Sequence, residues 1–433
     1  MDNPRKLALE SLVKSDTQGC FTNIEINTVL KRAKMEKSDS SLYTLLYLGV
    51  MEKKLFLDYI ISKYSKSKLD EIDIEALNAI RLGLYQLIFT DRIPDYSAVD
   101  ESVNLSPKRA KGFVNAILRS FLRNDKRVEL PNDIWERASV VASVPMGIVN
   151  LFRSSYGDEC TLKLLEYNSQ DYALSLRVNT LKSTKEEIFD YLTNKGFSPR
   201  YSKYAPDIIK CACTVEEISH LIDTGKVFIQ DESSRVCSIA VDAKSGERVA
   251  DVCACPGGKT FSMAIDMENK GEILSSDLHK NKLSLIEKGA LRLGIDIIKT
   301  KEQNAKEYVS DYNQAFDKVL CDVPCSGLGV IFKKPDIKYK NINDIASLPR
   351  VQYDILSNAS KYVKIGGYLV YSTCTVCKEE NENNVLKFLS ENKDFEYADF
   401  CVGDVSSQNG MYTFMPHIND TDGFFIAKLK RIK

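Results

Sequence analysis

Along the first 127 residues apolar positions return every three or four residues, the spacing of amphipathic helices. Leu7, Leu12 and Val13 open the pattern, and Ile24, Val29 and Leu30 continue it. Leu42, Leu45, Leu46 and Leu48 follow, then Leu55, Tyr59 and Ile60. Glu75 to Phe89 repeats it, with Leu77, Ile80, Leu84, Leu87 and Ile88 on one side. Ile93-Pro94-Asp95 breaks the run, and a last pair of helices extends to about Arg123. Short amphipathic helices joined by polar turns predict an all-α bundle over residues 1–128. Leu130-Pro131-Asn132 reads as a linker, with helical texture continuing to about Asn168.

The period changes at Leu174. Leu174–Val178 alternates like a strand, and Thr184-Lys-Glu-Glu187 opens a short helix as a capping box. Asp207–Cys213 and Val227–Ile229 read as strands, and Glu216–Ile222 as a helix. Residues 129–229 are therefore expected to hold linker helices and a small α+β module. From about Gln230 strands and helices alternate. Strands are expected at Arg248–Cys253, Glu272–Ser276, Ile295–Lys299, Lys318–Cys321 and Gly367–Ser372. This alternation predicts a doubly wound, mostly parallel sheet over 230–433, whose ligands bind beyond the carboxyl ends of the strands.

Composition narrows the class. With 433 residues, a prior of about 150 per domain suggests two or three domains. The 44% hydrophobic and 27% charged content is ordinary for a globular chain, so wholesale disorder is excluded. Fifty-nine Lys+Arg against 60 Asp+Glu exclude a uniformly basic nucleic-acid coat, though not a basic face on one domain. One such cluster is Lys108, Arg109, Lys111, Arg119, Arg123, Lys126 and Arg127, a solvated helix face or a phosphate-contacting patch. No apolar stretch is long enough to span a bilayer, and Met1 to Glu10 is no secretory signal. Twelve cysteines in such a chain read as reduced thiols in the cytoplasm.

Chemistry concentrates at the predicted strand ends. The first strand ends in Asp251-Val-Cys-Ala-Cys-Pro-Gly-Gly-Lys-Thr260, where paired glycines let a ligand approach helix N–H groups. Neither the phosphate-loop spacing nor Gly-x-Gly-x-x-Gly is present. Asp277 ends the second strand, placed to accept from a ribose diol. The fourth strand runs into Asp322-Val-Pro-Cys-Ser-Gly-Leu-Gly329 and the fifth into Tyr371-Ser-Thr-Cys-Thr375, so each delivers a cysteine to one edge. The three histidines, His220, His279 and His417, lie outside these motifs, which argues against a Cys–His hydrolase. Cys374-x-x-Cys377 with Cys321 and Cys325 could instead form a zinc site, but Cys321 sits inside an apolar strand, and no metal is expected.

Cys253–Lys259, Asp322–Gly329 and Ser372–Thr375 with Glu380-Asn-Glu382 resemble the signatures of RNA cytosine-5 methyltransferases. Arg177–Lys182, Gln230–Ser234, Lys334–Ile337 and Asp422–Phe425 match further positions of that family. Ala98–Val103 and Gly112–Arg119 resemble a NusB-like RNA-binding domain. The combination is similar to bacterial 16S rRNA methyltransferases of the RsmB (Sun/Fmu) type. It implies a NusB-like bundle, an RRM-like module and a Rossmann-like class I domain that uses S-adenosylmethionine.

The resemblance also assigns roles. Cys374 is the thiolate that adds to C6 of a cytosine, Cys325 assists loss of the C5 proton, and Asp322 hydrogen-bonds N3. Lys259 lies near cofactor and base. Cys253, Ala254, Cys255, Pro256, Gly257, Gly258 and Lys259 wrap the methionine end of the cofactor, with Asp277 on the ribose and Asp322 close by. Asn304 stands where the family has an acid for the adenine amine, and its amide carbonyl can still accept. Cys255 stands where alanine is usual. The expected partner is 16S rRNA, naked or in a partly assembled subunit, with no membrane and no obligatory protein partner. Lys108, Arg109, Lys111, Arg119, Arg123 and Arg177 are the expected RNA contacts, and the target base must leave its stack. The same chemistry on tRNA, or an RNA-binding antitermination factor with a dormant methylase fold, are the alternatives.

Overall fold

The structure, a computed structural model, describes residues 2–19, 21–167 and 173–433. The chain packs as two compact units: Met1–Glu166 with Ile331–Lys340, and Tyr167–Val330 with Asn341–Lys433.

The first unit is helical throughout, as its apolar period requires. Its helices are α1 (Pro4–Gln18), α2 (Thr22–Arg32), α3 (Lys37–Tyr64), α4 (Ile74–Phe89), α5 (Asp95–Leu105), α6 (Lys111–Arg123), α7 (Ile134–Ala142) and α8 (Met146–Glu166). Short polar side chains start several of them by accepting from exposed backbone N–H groups: Asn3 for α1, Asp73 for α4 and Asp133 for α7. Leu46, Val50, Ile60, Ile80, Leu84, Leu118 and Phe121 form part of one buried core. The helical chain does not separate at residue 128. α7 and α8 belong to this unit, where Ser143 Oγ accepts from Leu55 N at 2.9 Å. The expected end of that stretch near Asn168 lies outside the described residues. Ile331–Lys340 also belongs here: Thr22 Oγ1 donates to Asp336 at 2.7 Å, and Lys338 Nζ points at the carbonyls of Glu52 and Ala142.

The second unit begins with the α+β module. Strands β1 (Leu174–Val178), β2 (Arg200–Tyr201), β3 (Ile208–Cys211) and β4 (Val227–Ile229) form an antiparallel sheet in the order β2-β3-β1-β4. Helices α9 (Lys185–Asn194) and α10 (Ser219–Asp223) complete it. The capping box forms as its sequence predicts: Thr184 Oγ1 accepts from Glu187 N, and Glu187 accepts from Thr184 N.

The larger sheet takes its strands from the alternating region. In chain order the elements are α11 (Glu232–Val241), β5 (Arg248–Asp251), α12 (Gly258–Asp266), β6 (Glu272–Asp277), α13 (Lys280–Leu293), β7 (Ile298–Glu302), β8 (Phe316–Asp322), α14 (Ile342–Ala359), β9 (Val363–Thr373), α15 (Glu382–Glu391), β10 (Phe395–Tyr397), β11 (Cys401–Val402), β12 (Val405–Ser406), β13 (Met411–Phe414), α16 (Pro416–Asn419) and β14 (Phe424–Arg431). The order is β10-β14-β9-β8-β5-β6-β7, with β13 on β14. Five strands run parallel, while β10, β13 and β14 pair antiparallel. The parallel reading thus holds for the half that carries the motifs. The C-terminal strands make the sheet mixed.

β7 begins at Ile298, three residues later than the apolar run suggests. Gly294 ends α13 in the left-handed region (φ 75°), and Ile295 N returns to Ala290 O, so Ile295 closes the helix rather than opening the strand. Its apolar side chain is buried for that reason.

Candidate active site

The parallel half of the sheet gathers its carboxyl ends on one edge. Asp251 ends β5, Asp277 ends β6 and Asp322 ends β8, where Asp322 sits opposite Ser372 of β9. At β5 the chain turns sharply into α12. Gly257 adopts φ 110°, a conformation costly for any side chain, and a Cβ there would meet the Phe261 ring at 2.6 Å. A Cβ on Gly258 would meet nothing nearer than Gln230 Nε2 at 3.9 Å, so the opening turn of α12 can be approached from outside. Ala254 N donates to Ser276 O at 2.8 Å, which ties the loop to β6. Cys255 N and His279 N both point at the Asp277 carboxylate, at 3.4 and 3.0 Å.

These features fit S-adenosylmethionine. Backbone N–H groups at a helix start suit a carboxylate, and a carboxylate after the next strand suits vicinal hydroxyls. Beneath the loop, Asp251 is buried: Thr260 Oγ1 donates to its Oδ2 at 2.7 Å, while Oδ1 has no hydrogen-bond partner among the described residues. Burial pushes that carboxyl up to about 7. Cys253 and Cys255 are held as thiols, burial raising both and Asp277 raising Cys255 further, to about 12. Asn304 follows β7, but its groups are engaged locally. Oδ1 accepts from Lys306 N at 3.2 Å and Nδ2 donates to Glu307 at 2.8 Å. One lone pair of Oδ1 is left for a further donor.

The two cysteines expected to do chemistry meet. Cys325, on the loop after β8, lies with its Sγ 3.2 Å from Sγ of Cys374, on the loop after β9. The contact with Cys374, together with burial, holds the Cys325 thiol well above its ordinary value. Gly329 N donates to Cys374 O, and Gly423 N donates to Gly329 O. A Cβ on Gly329 would meet Gly423 O at 2.0 Å, so the two backbones require glycine to approach this closely. That contact explains why Asp422–Phe425 belongs with the site.

Beside the thiols stands a partly buried ion pair. Lys259 Nζ is 2.7 Å from Asp322 Oδ2, and Ser372 Oγ donates to the other oxygen at 2.8 Å. Burial works against the Lys259 ammonium. The Asp322 carboxylate and the nearby Cys237 and Cys374 outweigh it and raise the lysine above its ordinary value. A lysine that remains a cation in a partly buried site is a source of positive field for a neighbouring thiolate.

Cys321 and Cys377 stand apart from this chemistry. Cys321 lies in the core with Val319 and Val323, and burial holds Cys377 at about 12. Among the described residues no group of three or more His, Cys, Asp or Glu gathers as metal ligands. No helix there is long and apolar enough to cross a membrane.

Arg177 requires a correction. It lies on the face of β1 opposite Leu176 and Val178, both faces are covered there, and only 1% of it is exposed. Its guanidinium lies 2.9 Å from Asp207 and 3.2 Å from Asp266, both also held by Arg235. Burial and the neighbouring Arg235 pull it down to about 10. Two arginines and two aspartates form a closed structural cluster, so Arg177 is no RNA contact. Arg177→Met is expected to lower the melting temperature, at a cost of about 3 kcal/mol for a broken buried pair. Its effect on the salt dependence of RNA affinity is expected to be nil; a shallower slope in the variant would restore Arg177 to the RNA surface.

In the helical unit, Lys108, Arg109, Arg119 and Arg123 are exposed and Lys111 half-buried. Acids from outside the cluster partly neutralise it: Arg109 pairs with Asp73, Arg119 with Asp100 and Lys126 with Asp95.

Sequence reasoning gave no role to the polar residues that hold these loops. Gln230 accepts from Ser262 Oγ at 2.7 Å and donates to Gly258 O at 3.2 Å. Ser326, Gln352, Thr375 and Glu380 are fully buried behind the cysteines. Motif position was the only signal for all but Gln352, which lies in no motif, since their partners lie 28 to 54 residues away.

Comparison with known proteins agrees with this geometry. The family model described as 16S rRNA methyltransferase RsmB/F matches residues 238–430. The NusB family model matches 2–123, and the ferredoxin-like domain of the RsmF/B-like methyltransferases matches 145–216. A probable ribosomal RNA small subunit methyltransferase B of Bacillus subtilis (strain 168) is 35% identical, over 99% of this chain and 98% of its own. The crystal structure of PH0851 superposes with a TM-score of 0.82 at 26% identity, over 100% of this chain and 99% of that one. NSun6 from Pyrococcus horikoshii with SFG gives a TM-score of 0.61 at 25% identity, over 67% of this chain and 98% of that one. The chain is thus a methyltransferase that uses S-adenosylmethionine, and it belongs to the RsmB/F family of 16S rRNA methyltransferases.

Proposed function

We propose that the enzyme methylates C5 of one cytosine in 16S rRNA through a covalent adduct with Cys374. The observation that carries this reading is the 3.2 Å approach of Cys325 and Cys374 beside the Lys259–Asp322 pair. S-adenosylmethionine, when bound, supplies an electrophilic methyl group. Cytosine C5 is too weak a nucleophile to take it unaided, so a nucleophile must first add to C6. Cys374 adds as a thiolate, favoured by the Lys259 ammonium, and forms the S–C6 bond. Electron density moves toward C5 and N3. Asp322, taking a proton from the Lys259 ammonium across 2.7 Å, donates it in a hydrogen bond to N3 as charge develops there. After C5 is methylated, Cys325 assists removal of the C5 proton. The S–C6 bond then breaks, with the electron pair returning to Cys374.

The glycine turn after β5 holds the methionine end of the cofactor, Asp277 the ribose and Asn304 the adenine amine. Lys108, Arg109, Lys111, Arg119 and Arg123 contact phosphates, and the target base is taken unstacked. The small-subunit relative supports 16S rRNA as the substrate. The test is methyl transfer from labelled S-adenosylmethionine to unmodified 16S rRNA and, in parallel, to unmodified tRNA, with the labelled base mapped by bisulfite sequencing. Label at a single 16S cytosine is the expected result. Label in tRNA alone would move the substrate while keeping the chemistry.

A further inference from the structure

A closed polar network lies behind the two cysteines. Glu380 is 1% exposed, yet among the described residues its carboxylate makes no ion pair. It accepts three hydrogen bonds instead. Its Oε2 takes Ser326 N at 2.9 Å and Gln352 Nε2 at 2.8 Å, and its Oε1 takes Ser326 Oγ at 2.5 Å. Gln352, from α14, also donates to Pro324 O at 3.0 Å. Both residues flanking Cys325 are therefore tied to one carboxylate, directly or through one amide. Ser326 Oγ lies 2.8 Å from Thr375 Oγ1, which ties the same cluster to the residue after Cys374. Tyr371, in β9, donates to the Glu380 carbonyl and so fixes the position of Glu380 itself.

A buried carboxylate without a cation is costly, and an apolar residue would fill the space at less cost. A loop with no regular structure, by contrast, has few other means of holding a side chain to a fraction of an ångström. We propose that Glu380 is a positioning residue for the release step: it clasps the Cys325 loop to the Cys374 strand end and so keeps Cys325 in reach of the adducted base. This inference rests on the two-cysteine reading above. Adduct formation needs only Cys374, whereas release needs both cysteines in register, so Glu380 matters for the second step. Its charge opposes ionisation of Cys325, so its contribution to release is through position.

Two measurements on the full-length protein test this. The first needs no RNA. Diamide takes two electrons and two protons from a thiol pair, leaving the disulfide and the reduced hydrazine. The rate at which Cys325 and Cys374 couple therefore reports how closely they are held. Loss of the Glu380 charge alone eases ionisation of Cys325 and speeds coupling; loss of the clasp slows it. Glu380→Ala is expected to couple about tenfold more slowly than wild type, because a misplacement of about 1 Å outweighs a change in ionisation. Glu380→Gln, which can still accept from Ser326 N and Gln352 and donate to Ser326 Oγ, is expected to couple at least as fast as wild type. Coupling in Glu380→Ala as fast as wild type or faster would overturn the proposal. Should Glu380→Ala not fold, Ser326→Ala carries the same test, since it removes the hydroxyl bridge between the loops.

The second measurement uses unmodified 16S rRNA. Glu380→Ala is expected to lose about tenfold to a hundredfold in kcat with unchanged affinity for S-adenosylmethionine, while a denaturation-resistant protein–RNA adduct accumulates. Glu380→Gln should restore kcat to within a few-fold. Lost activity with no adduct would overturn the proposal. A Cys325→Ala protein that forms no adduct is a different result: it would refute the two-cysteine reading, and the diamide comparison would still decide whether Glu380 sets the distance.

Discussion

Cys374→Ala is expected to abolish methyl transfer and leave no covalent complex with RNA, whereas Cys325→Ala is expected to trap one that survives denaturing gels. The two thiols touch, at 3.2 Å, but their surroundings differ. Cys374 feels the Lys259 ammonium, which favours a thiolate, while Cys325 is held as a thiol by its contact with Cys374, by burial and by Glu380. One is therefore suited to attack and the other to proton transfer once the first is spent. Loss of the nucleophile removes the covalent route altogether, a fall of about 10⁴-fold or more in kcat by comparison with other catalytic nucleophiles. Gel analysis after incubation with labelled RNA decides the assignment. Equal adduct from both variants would mean that the roles are misassigned.

Asp322→Ala is the second large effect. It leaves the Lys259 ammonium buried without its partner at 2.7 Å and removes the group that answers charge at N3. A loss of about 10²- to 10³-fold in kcat is expected from the missing transition-state contact. A stability cost of about 3 kcal/mol is expected from the unpaired charge. Because Lys259 sits above its ordinary value in the folded protein, the stability from its pairing is complete below the lysine's ordinary value of about 10.4 and fades only as pH rises through the higher folded value. The melting-temperature deficit of the variant should thus be level from about pH 7 to 9. Asp322→Asn, which keeps a hydrogen bond to Ser372, is expected to recover part of the stability but little of the rate. Recovery of full activity by Asp322→Asn would remove Asp322 from proton sharing with the base.

The two corrections have physical causes that a linear reading does not contain. Arg177 stands in an alternating strand, and alternation says which residues share a face without saying what that face meets. Here it meets Asp207 and Asp266, the latter 89 residues away, so a residue that looks free for phosphate is consumed internally. The basic cluster near Lys108 suffers the same limit in milder form, since Asp73, Asp95 and Asp100 come from other helices. Ile295 is apolar for a different reason than the strand pattern suggests: it closes a helix after Gly294. Apolar character marks burial, and both a strand and a helix cap bury their residues.

By itself the sequence determined the helical texture of the first unit, the strand–helix alternation of the second, and the residues at the strand ends. Each of these rests on local rules: period, capping and the need for glycine where backbones turn or touch. The motifs named both cysteines, Lys259, Asp277 and Asp322 because a strand followed by a short loop delivers its next residues to the sheet edge whatever the rest of the chain does. Only the tertiary structure decided that Cys325 and Cys374 meet, that Lys259 pairs with Asp322, and that Glu380 closes the network behind them. Those partners stand 49, 63 and 54 residues apart, distances over which strand order in the sheet, not local preference, chooses neighbours.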